Sequence, residues 1–171
     1  SIVRRAPVPV FQQREPPAAI RFSEESSRGT HGAPECRDAC RRLAALLLRA
    51  FAGEPREAIL APAAFDNPLS PKIEAIARGA YLVKSREEIK GSGYVVESLE
   101  AALWCFAKTD DFETAILAAA NLGDDADTTA AICGQIAGAY YGESGIPEPW
   151  LERLAWREKI GELADRLVEG R

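Results

Sequence analysis

Three aspartates precede a helix of small residues between Asn121 and Gly142, and this stretch constrains the fold most strongly. Asp124, Asp125 and Asp127 occupy three of four consecutive positions, and alanine and glycine dominate the helix that follows. Small side chains let neighbouring helices approach closely, so we predict that this helix is central and buried. Buried carboxylates need water or a metal ion, so its N-terminus should open into a cleft.

The aspartate cluster has two interpretations. One carboxylate suffices to cap a helix and to interact with its macrodipole. Three like charges this close repel one another unless a cation binds them, and hard oxygens suit Mg²⁺, Ca²⁺ or Mn²⁺. Asp125 and Thr128 share one face of the first turn, where the hydroxyl would add a neutral oxygen. The alternative is an ordinary N-cap with extra surface charge.

Length and charge set broad limits. A chain of 171 residues is long enough to bury a sizeable core in one domain. A net charge of −5 argues against nucleic acid or an anionic membrane as a partner. No apolar run approaches the roughly 20 residues of a membrane span, and no signal-peptide pattern is present. We therefore expect a cytoplasmic protein without a nucleic-acid or membrane partner.

The cysteines are interpreted as buried thiols in a reducing compartment. Cys36 and Cys40 share a helix face near His31, but these three residues do not complete a zinc site. Cys105 and Cys133 lie in helical patterns rich in alanine and leucine.

Helical periodicity covers nearly the whole chain, and no run alternates as a strand would. The prediction is an all-α fold in one domain. Ser1 to Phe11 is the exception, because Pro7 and Pro9 there favour an extended segment. Helices are predicted over residues 34–52, 56–60, 71–81, 94–107, about 111–122, 125–141 and 152–169.

Four segments carry a family resemblance. Asn121 to Gly142 resembles the C-terminal signature of the ADP-ribosylglycohydrolase family. Ser1 to Val8 is similar to the family segment Gly-Asn-Gly-Ser-(Leu)-Met-Arg-x-Ala-Pro-Val, beginning at its serine. Thr30-His31-Gly32 resembles the family's Thr-His turn before a long helix, and Gly91 to Trp104 resembles a further segment. The resemblance covers essentially the whole chain, in the family's order.

The resemblance implies a compact all-α enzyme with two magnesium ions, or manganese ions, at the bottom of a cleft. Such an enzyme hydrolyses the bond between the anomeric carbon of ADP-ribose and a protein side chain. By the same resemblance, the metal ligands in this chain are Asp125, Asp127 and Thr128.

The substrate-binding positions also follow from the resemblance. Ser1 and His31 match positions that bind the pyrophosphate, and Gly93 and Tyr94 match positions lining the ribose and adenine side. The implied partner is an ADP-ribosylated protein or ADP-ribose.

Several family features are missing. The first half of the family domain carries a Thr-Asp-Asp triplet, which supplies further metal ligands, and an acidic residue involved in catalysis. The catalytic residue is therefore unknown in this chain. Thr109-Asp110-Asp111 is a Thr-Asp-Asp triplet too, but we interpret it as a helix cap. Asp124 stands where the family usually has glycine, which costs little if the position needs a positive φ.

We expect residues 1–171 to be the C-terminal portion of a single family domain. The N-terminal half would have been removed by proteolysis or would belong to a second polypeptide. Without that half, the apolar faces of the helices beginning at Pro34 and Tyr94 are expected to be exposed.

The leading hypothesis is a magnesium-dependent hydrolase that removes ADP-ribose from arginine N-glycosidic linkages. One alternative is the same chemistry on serine-linked or small-molecule conjugates of ADP-ribose. Another is a non-catalytic relative that binds ADP-ribose.

Overall fold

In the computed structural model, which describes residues 2–170, the chain folds into ten α-helices and four short 3-10 helices. No strand occurs within those residues, so the all-α prediction is confirmed. The α-helices are α1 Pro7–Phe11, α2 Pro16–Arg28, α3 Pro34–Phe51, α4 Arg56–Leu60, α5 Pro71–Ala77, α6 Val95–Lys108, α7 Phe112–Ala120, α8 Ala126–Tyr141, α9 Glu148–Arg153 and α10 Arg157–Glu169.

The core forms where α3, α6 and α8 meet. Leu43 and Leu47 of α3 and Leu99 and Leu103 of α6 are fully buried. Each such leucine contributes about 1.5–3 kcal/mol relative to an exposed side chain. The expectation that the apolar faces of α3 and α6 are exposed was therefore wrong, because these helices bury them against one another and α8.

Helix α8 is central, as predicted. It contacts α3, α6, α7 and the 3-10 helix Ile2–Arg4. Ile132 and Ile136 are fully buried in the core. Its burial is one-sided, however, since Ala131 is exposed. The helix thus presents one face to the core while its N-terminal turn remains accessible.

The N-terminal segment is helical, which corrects the predicted extended conformation. Ile2–Arg4 forms a 3-10 helix and α1 follows it. Pro7 and Pro9 both fall in the first turn of α1, where the amide that proline lacks has no intrahelical partner. The prolines therefore start a helix here instead of preventing one.

Two predicted helices are shorter than expected. The helix beginning at Pro71 ends at Ala77, because Gly79 takes a φ of 84° before a 3-10 helix. The predicted C-terminal helix is divided into α9 and α10, with Trp156 at a φ of 60° between them. No helix in the described part of the chain is both long and apolar enough to cross a membrane.

All four cysteines are free thiols. Cys40, Cys105 and Cys133 are buried, as predicted, whereas Cys36 is only partly buried. Burial raises the pKa of the Cys105 thiol to about 11, which keeps it neutral.

The Thr-Asp-Asp triplet caps a helix, as interpreted from the sequence. The Asp111 carboxylate accepts a hydrogen bond from the Thr114 amide at 2.7 Å and so caps α7. The Asp110 side chain is 97% exposed and lies 3.4 Å from Arg56. One aspartate of the pair therefore has a clear structural task.

The two aspartates offer a matched test of this cap. Asp111→Ala should lower the free energy of unfolding by about 1 kcal/mol, the usual cost of losing an N-cap. Asp110→Ala should lower it by less than about 0.5 kcal/mol, because exposed ion pairs contribute little. Urea denaturation of both variants measures the difference, and equal losses would contradict the capping role.

Candidate functional site

The candidate site begins at the turn that leads into α8. Gly123 and Asp124 take positive φ angles of 81° and 51°, and Asp125 is the N-cap of the helix. Aspartate tolerates the left-handed region better than most residues, so the chain turns here without a glycine at position 124. The positive φ considered from the sequence for this position is confirmed.

A backbone hydrogen bond joins this turn to the loop before α6. The amide of Asp125 donates to the carbonyl of Gly91 at 2.9 Å. Gly91 is buried, and a Cβ on it would lie 3.0 Å from both the Gly123 carbonyl and the Leu122 Cβ. The close approach of the two segments therefore requires a residue without a side chain.

Gly93 lies against the carboxylate of Asp125. A Cβ at position 93 would stand 2.7 Å from Oδ2 of Asp125. The predicted substrate residue and the predicted metal residue therefore belong to one site, although 32 positions of sequence separate them. Because Gly93 has no side chain, the Asp125 carboxylate can occupy the space beside it.

Asp125 and Asp127 interact through their carboxyl groups. A hydrogen-bond contact with Asp125, and secondly one with the Thr128 backbone, lowers the pKa of the exposed Asp127 carboxyl. Two carboxylates this close offer several hard oxygen atoms to a divalent cation. The pair therefore has the donor chemistry of a hard-cation site.

These two carboxylates do not make a complete metal site. Across residues 2–170, no group of three His, Cys, Asp or Glu side chains is arranged to hold a metal ion. Thr128, the third predicted ligand, is partly buried in the first turn of α8. Within residues 2–170, the three predicted ligands therefore do not by themselves form a metal site.

The neighbouring Thr129 was not singled out in the sequence. Its side chain is fully buried, and its hydroxyl lacks a hydrogen-bond partner. A Cβ on Gly91 would lie 3.5 Å from this hydroxyl, so it lies at the junction between the loop and α8.

Tyr94 follows Gly93 and is the N-cap residue of α6. Its ring is 38% exposed, and its hydroxyl contacts Glu35 and Lys72. The structure therefore brings Gly93, Tyr94 and the Asp125 turn together. Neither Glu35 nor Lys72 was identified from the sequence, where both resemble ordinary surface charges.

His31 makes its recorded hydrogen bonds with Ser27 and not with Gly93, Tyr94 or the Asp125 turn. It is exposed, its amide donates to the Ser27 carbonyl at 2.7 Å, and its carbonyl accepts from the Ser27 hydroxyl at 3.0 Å. No hydrogen bond or ion pair of the described residues links it to the Asp125 turn. Ser1, the other predicted pyrophosphate residue, lies outside the described residues.

Gln135 fastens the N-terminal segment to α8. Its Oε1 accepts hydrogen bonds from the amides of Arg5 and Ala6 at 3.0 and 2.8 Å. Its Nε2 donates to the carbonyls of Ile2 at 3.2 Å and Ala131 at 3.3 Å. The oxygen and the nitrogen of the carboxamide thus both form hydrogen bonds, and they hold the N-terminal segment against α8, the helix that carries Asp127. In the sequence, the sign of this contact is that α8 contains one glutamine among mostly small and apolar residues.

Three surface clefts lie elsewhere on the described part of the chain. Their volumes are about 740, 600 and 380 Å³, and none is lined by Gly93, Tyr94 or Asp125. The 600 Å³ cleft, for example, lies between α2 and the loop around Phe65. The cleft predicted at the N-terminus of α8 is therefore not one of these three, and Gly93, Tyr94 and Asp127 are exposed.

Comparisons with known proteins identify the family. The family profile described as ADP-ribosylglycohydrolase matches residues 1–171. ADP-ribosylarginine hydrolase Tri1 of Serratia proteamaculans (strain 568) is 44% identical over 167 residues, and Tri1 of Pseudomonas putida (strain GB-1) is 46% identical over 169 residues. The matches cover 98% and 99% of this chain. The chain belongs to the ADP-ribosylglycohydrolase family.

A solved structure is also similar. The "ADP-ribosylglycohydrolase-related protein complex" superposes with a TM-score of 0.86 and 37% sequence identity, over 95% of this chain and 56% of that one. The chain spans 45% of the length of both Tri1 relatives. These comparisons do not support the expected second polypeptide.

The Gln135 contacts predict a measurable loss of stability. Gln135→Met keeps the side-chain volume but leaves the amides of Arg5 and Ala6 without this acceptor, which should cost about 2–4 kcal/mol of unfolding free energy. Gln135→Glu keeps an acceptor and should cost less. Chemical denaturation compares the two variants, and a loss below about 1 kcal/mol for Gln135→Met would contradict the fastening role.

Proposed function

We propose that this chain supplies part of the active site of a hydrolase that removes ADP-ribose from modified arginine side chains. The observation that carries the proposal is the contact between the Asp125 turn and the loop from Gly91 to Tyr94. It brings the Asp125 carboxylate beside Gly93, the residue that precedes the exposed Tyr94. Two relatives at 44% and 46% identity carry the name ADP-ribosylarginine hydrolase, which favours the arginine linkage.

Asp125, Asp127 and Thr128 are proposed to hold a divalent cation. We propose two Mg²⁺ ions, or Mn²⁺, with further ligands from residues outside this chain. The fit rests on the interacting carboxyl groups and on the space that Gly93 leaves beside Asp125. When bound, such a cation would act as a Lewis acid and orient the ribose hydroxyls and the attacking water.

The residues of this chain are proposed to position the substrate and to supply negative charge near the reacting carbon. Cleavage of a glycosidic bond passes through an oxocarbenium-like state, which nearby carboxylates stabilise. Water adds its hydroxyl to the anomeric carbon, and the arginine nitrogen leaves with a proton. The loop at Gly93 and Tyr94 is proposed to hold the ribose and adenine side, next to Asp125. Ser1 and His31 are proposed to bind the pyrophosphate, for which a hydroxyl and an imidazole are suited.

The acidic residue that handles the proton is proposed to lie outside these 171 residues. An ADP-ribosylated protein is the proposed partner. We also propose a cytoplasmic location, since all four cysteines are free thiols.

The acidic turn gives the first test of this function. In the full-length protein, Asp125→Ala and Asp127→Ala should each lower the release of ADP-ribose from an ADP-ribosylarginine peptide by at least about 100-fold. A chelator should abolish release by the unsubstituted protein, and added Mg²⁺ or Mn²⁺ should restore it. Asp110→Ala is the matched control and should leave release unchanged.

The outcomes separate the candidate functions. Release that survives both site substitutions would exclude the metal-dependent mechanism. Binding of ADP-ribose without any release would indicate a non-catalytic binding protein. Release from serine-linked conjugates but not from arginine-linked ones would assign the alternative substrate.

Gly93 provides a second, steric test. Gly93→Ala places a methyl carbon 2.7 Å from Oδ2 of Asp125, which is too close, so the carboxylate must rotate away. We expect release to fall by about tenfold or more, with little change in melting temperature because only the end of a side chain has to move. Gly29→Ala is the control, since a Cβ there has no neighbour within 4 Å. Unchanged release by Gly93→Ala would contradict the proposed place of Asp125 in the site.

A further inference from the structure

Three polar side chains from three separate elements meet beside the candidate site. Glu35 lies in the first turn of α3, Lys72 in the first turn of α5, and Tyr94 at the N-cap of α6. Tyr94 is 59 positions from Glu35 and 22 from Lys72. The contacts therefore depend on the packing of three helices and not on local sequence.

The Tyr94 hydroxyl uses both its donor and its acceptor capacity in this cluster. It donates a hydrogen bond to Oε2 of Glu35 and accepts one from Nζ of Lys72 at 2.9 Å. The Lys72 ammonium also lies 3.8 Å from Oε1 of Glu35, which closes a triangle. Hydrogen bonds to charged groups are stronger than neutral ones.

Lys72 also restricts the ring of Tyr94. Its ammonium lies 5.0 Å from the ring centroid, within the range of a cation–π contact. The hydrogen bond to Tyr94 raises the pKa of Lys72, so the ammonium stays charged at neutral pH. One ring face is thus occupied, while the ring as a whole remains 38% exposed.

We propose that Glu35 and Lys72 are positioning residues that fix the Tyr94 ring for the nucleoside part of ADP-ribose. This inference rests on the proposed function, because it assumes that Tyr94 meets that ligand. Tyr94 directly follows Gly93, which contacts Asp125, so a fixed ring also sets the distance between the bound base and the acidic turn. A ring held before binding does not lose its rotational freedom when the ligand arrives.

A purely structural role makes a different prediction. If Glu35 served only to stabilise the fold, removing its charge would lower the melting temperature and leave binding of ADP-ribose unchanged. The Lys72 side of the ion pair is largely exposed, so we expect the melting temperature to fall only slightly. If Glu35 acts through Tyr94, the same change should weaken binding of ADP-ribose. The Michaelis constant should rise while kcat stays nearly constant, because ring placement affects binding more than the chemical step.

A double-mutant cycle in the full-length protein tests the coupling. The variants are Glu35→Gln, Tyr94→Phe and the two combined, with calorimetric titration of ADP-ribose as the readout. Each single variant should weaken binding by about tenfold, and the double variant should be no weaker than either, as for residues that share one interaction. Lys72→Met should also weaken binding.

A matched control is available on α5. Glu74 forms an ion pair with Arg78 at 2.8 Å and none of the recorded Tyr94 contacts, and Glu74→Gln makes the same chemical change there. It should leave binding unaltered.

The results separate the two proposals. If the unsubstituted protein binds ADP-ribose and Glu35→Gln binds equally well, the positioning role is wrong and the proposed function stands. Fully additive losses in the double variant would also overturn the positioning role. If the unsubstituted protein does not bind ADP-ribose at all, both proposals fail.

Discussion

The hydrogen bond from the Asp125 amide to the Gly91 carbonyl joins the two segments on which the candidate site depends. Each segment leads into a core helix, since the loop precedes α6 and the turn precedes α8. These helices pack against each other, so the bond connects two rigid supports. Gly91 and Gly93 permit the contact because any side chain there would meet the opposite segment. Backbone packing therefore places the Asp125 carboxylate beside Gly93, the residue before Tyr94.

The electrostatics of the site follow from its exposure. Asp124 and Asp127 are exposed, so water screens the repulsion between neighbouring carboxylates. The cluster at Glu35, Lys72 and Tyr94 differs because opposite charges neutralise one another there. The acidic turn thus retains its negative charge for a ligand, whereas the neighbouring cluster uses its charges to hold an aromatic ring.

Long periodic elements could be predicted from the sequence, whereas elements fixed by single backbone angles could not. Helices α3, α6 and α8 follow from apolar or small-residue patterns over more than a dozen positions. The helix predicted over residues 152–169 crosses the break between α9 and α10, because no local rule anticipates a left-handed Trp156. The family resemblance located Gly93 and Asp125, but their contact comes from packing. Glu35 and Gln135 make their polar contacts with partners 59 and about 130 positions away, for which one sequence gives no signal.

The place of the divalent cation is the most direct test of the proposed site. Crystals of the full-length protein grown with Mn²⁺ and ADP-ribose would locate the metal by its anomalous scattering. We predict a manganese peak about 2.0–2.6 Å from carboxylate oxygens of Asp125 and Asp127, the range for hard cations with oxygen ligands. Bound ADP-ribose with no manganese at these two residues would contradict the proposed metal site.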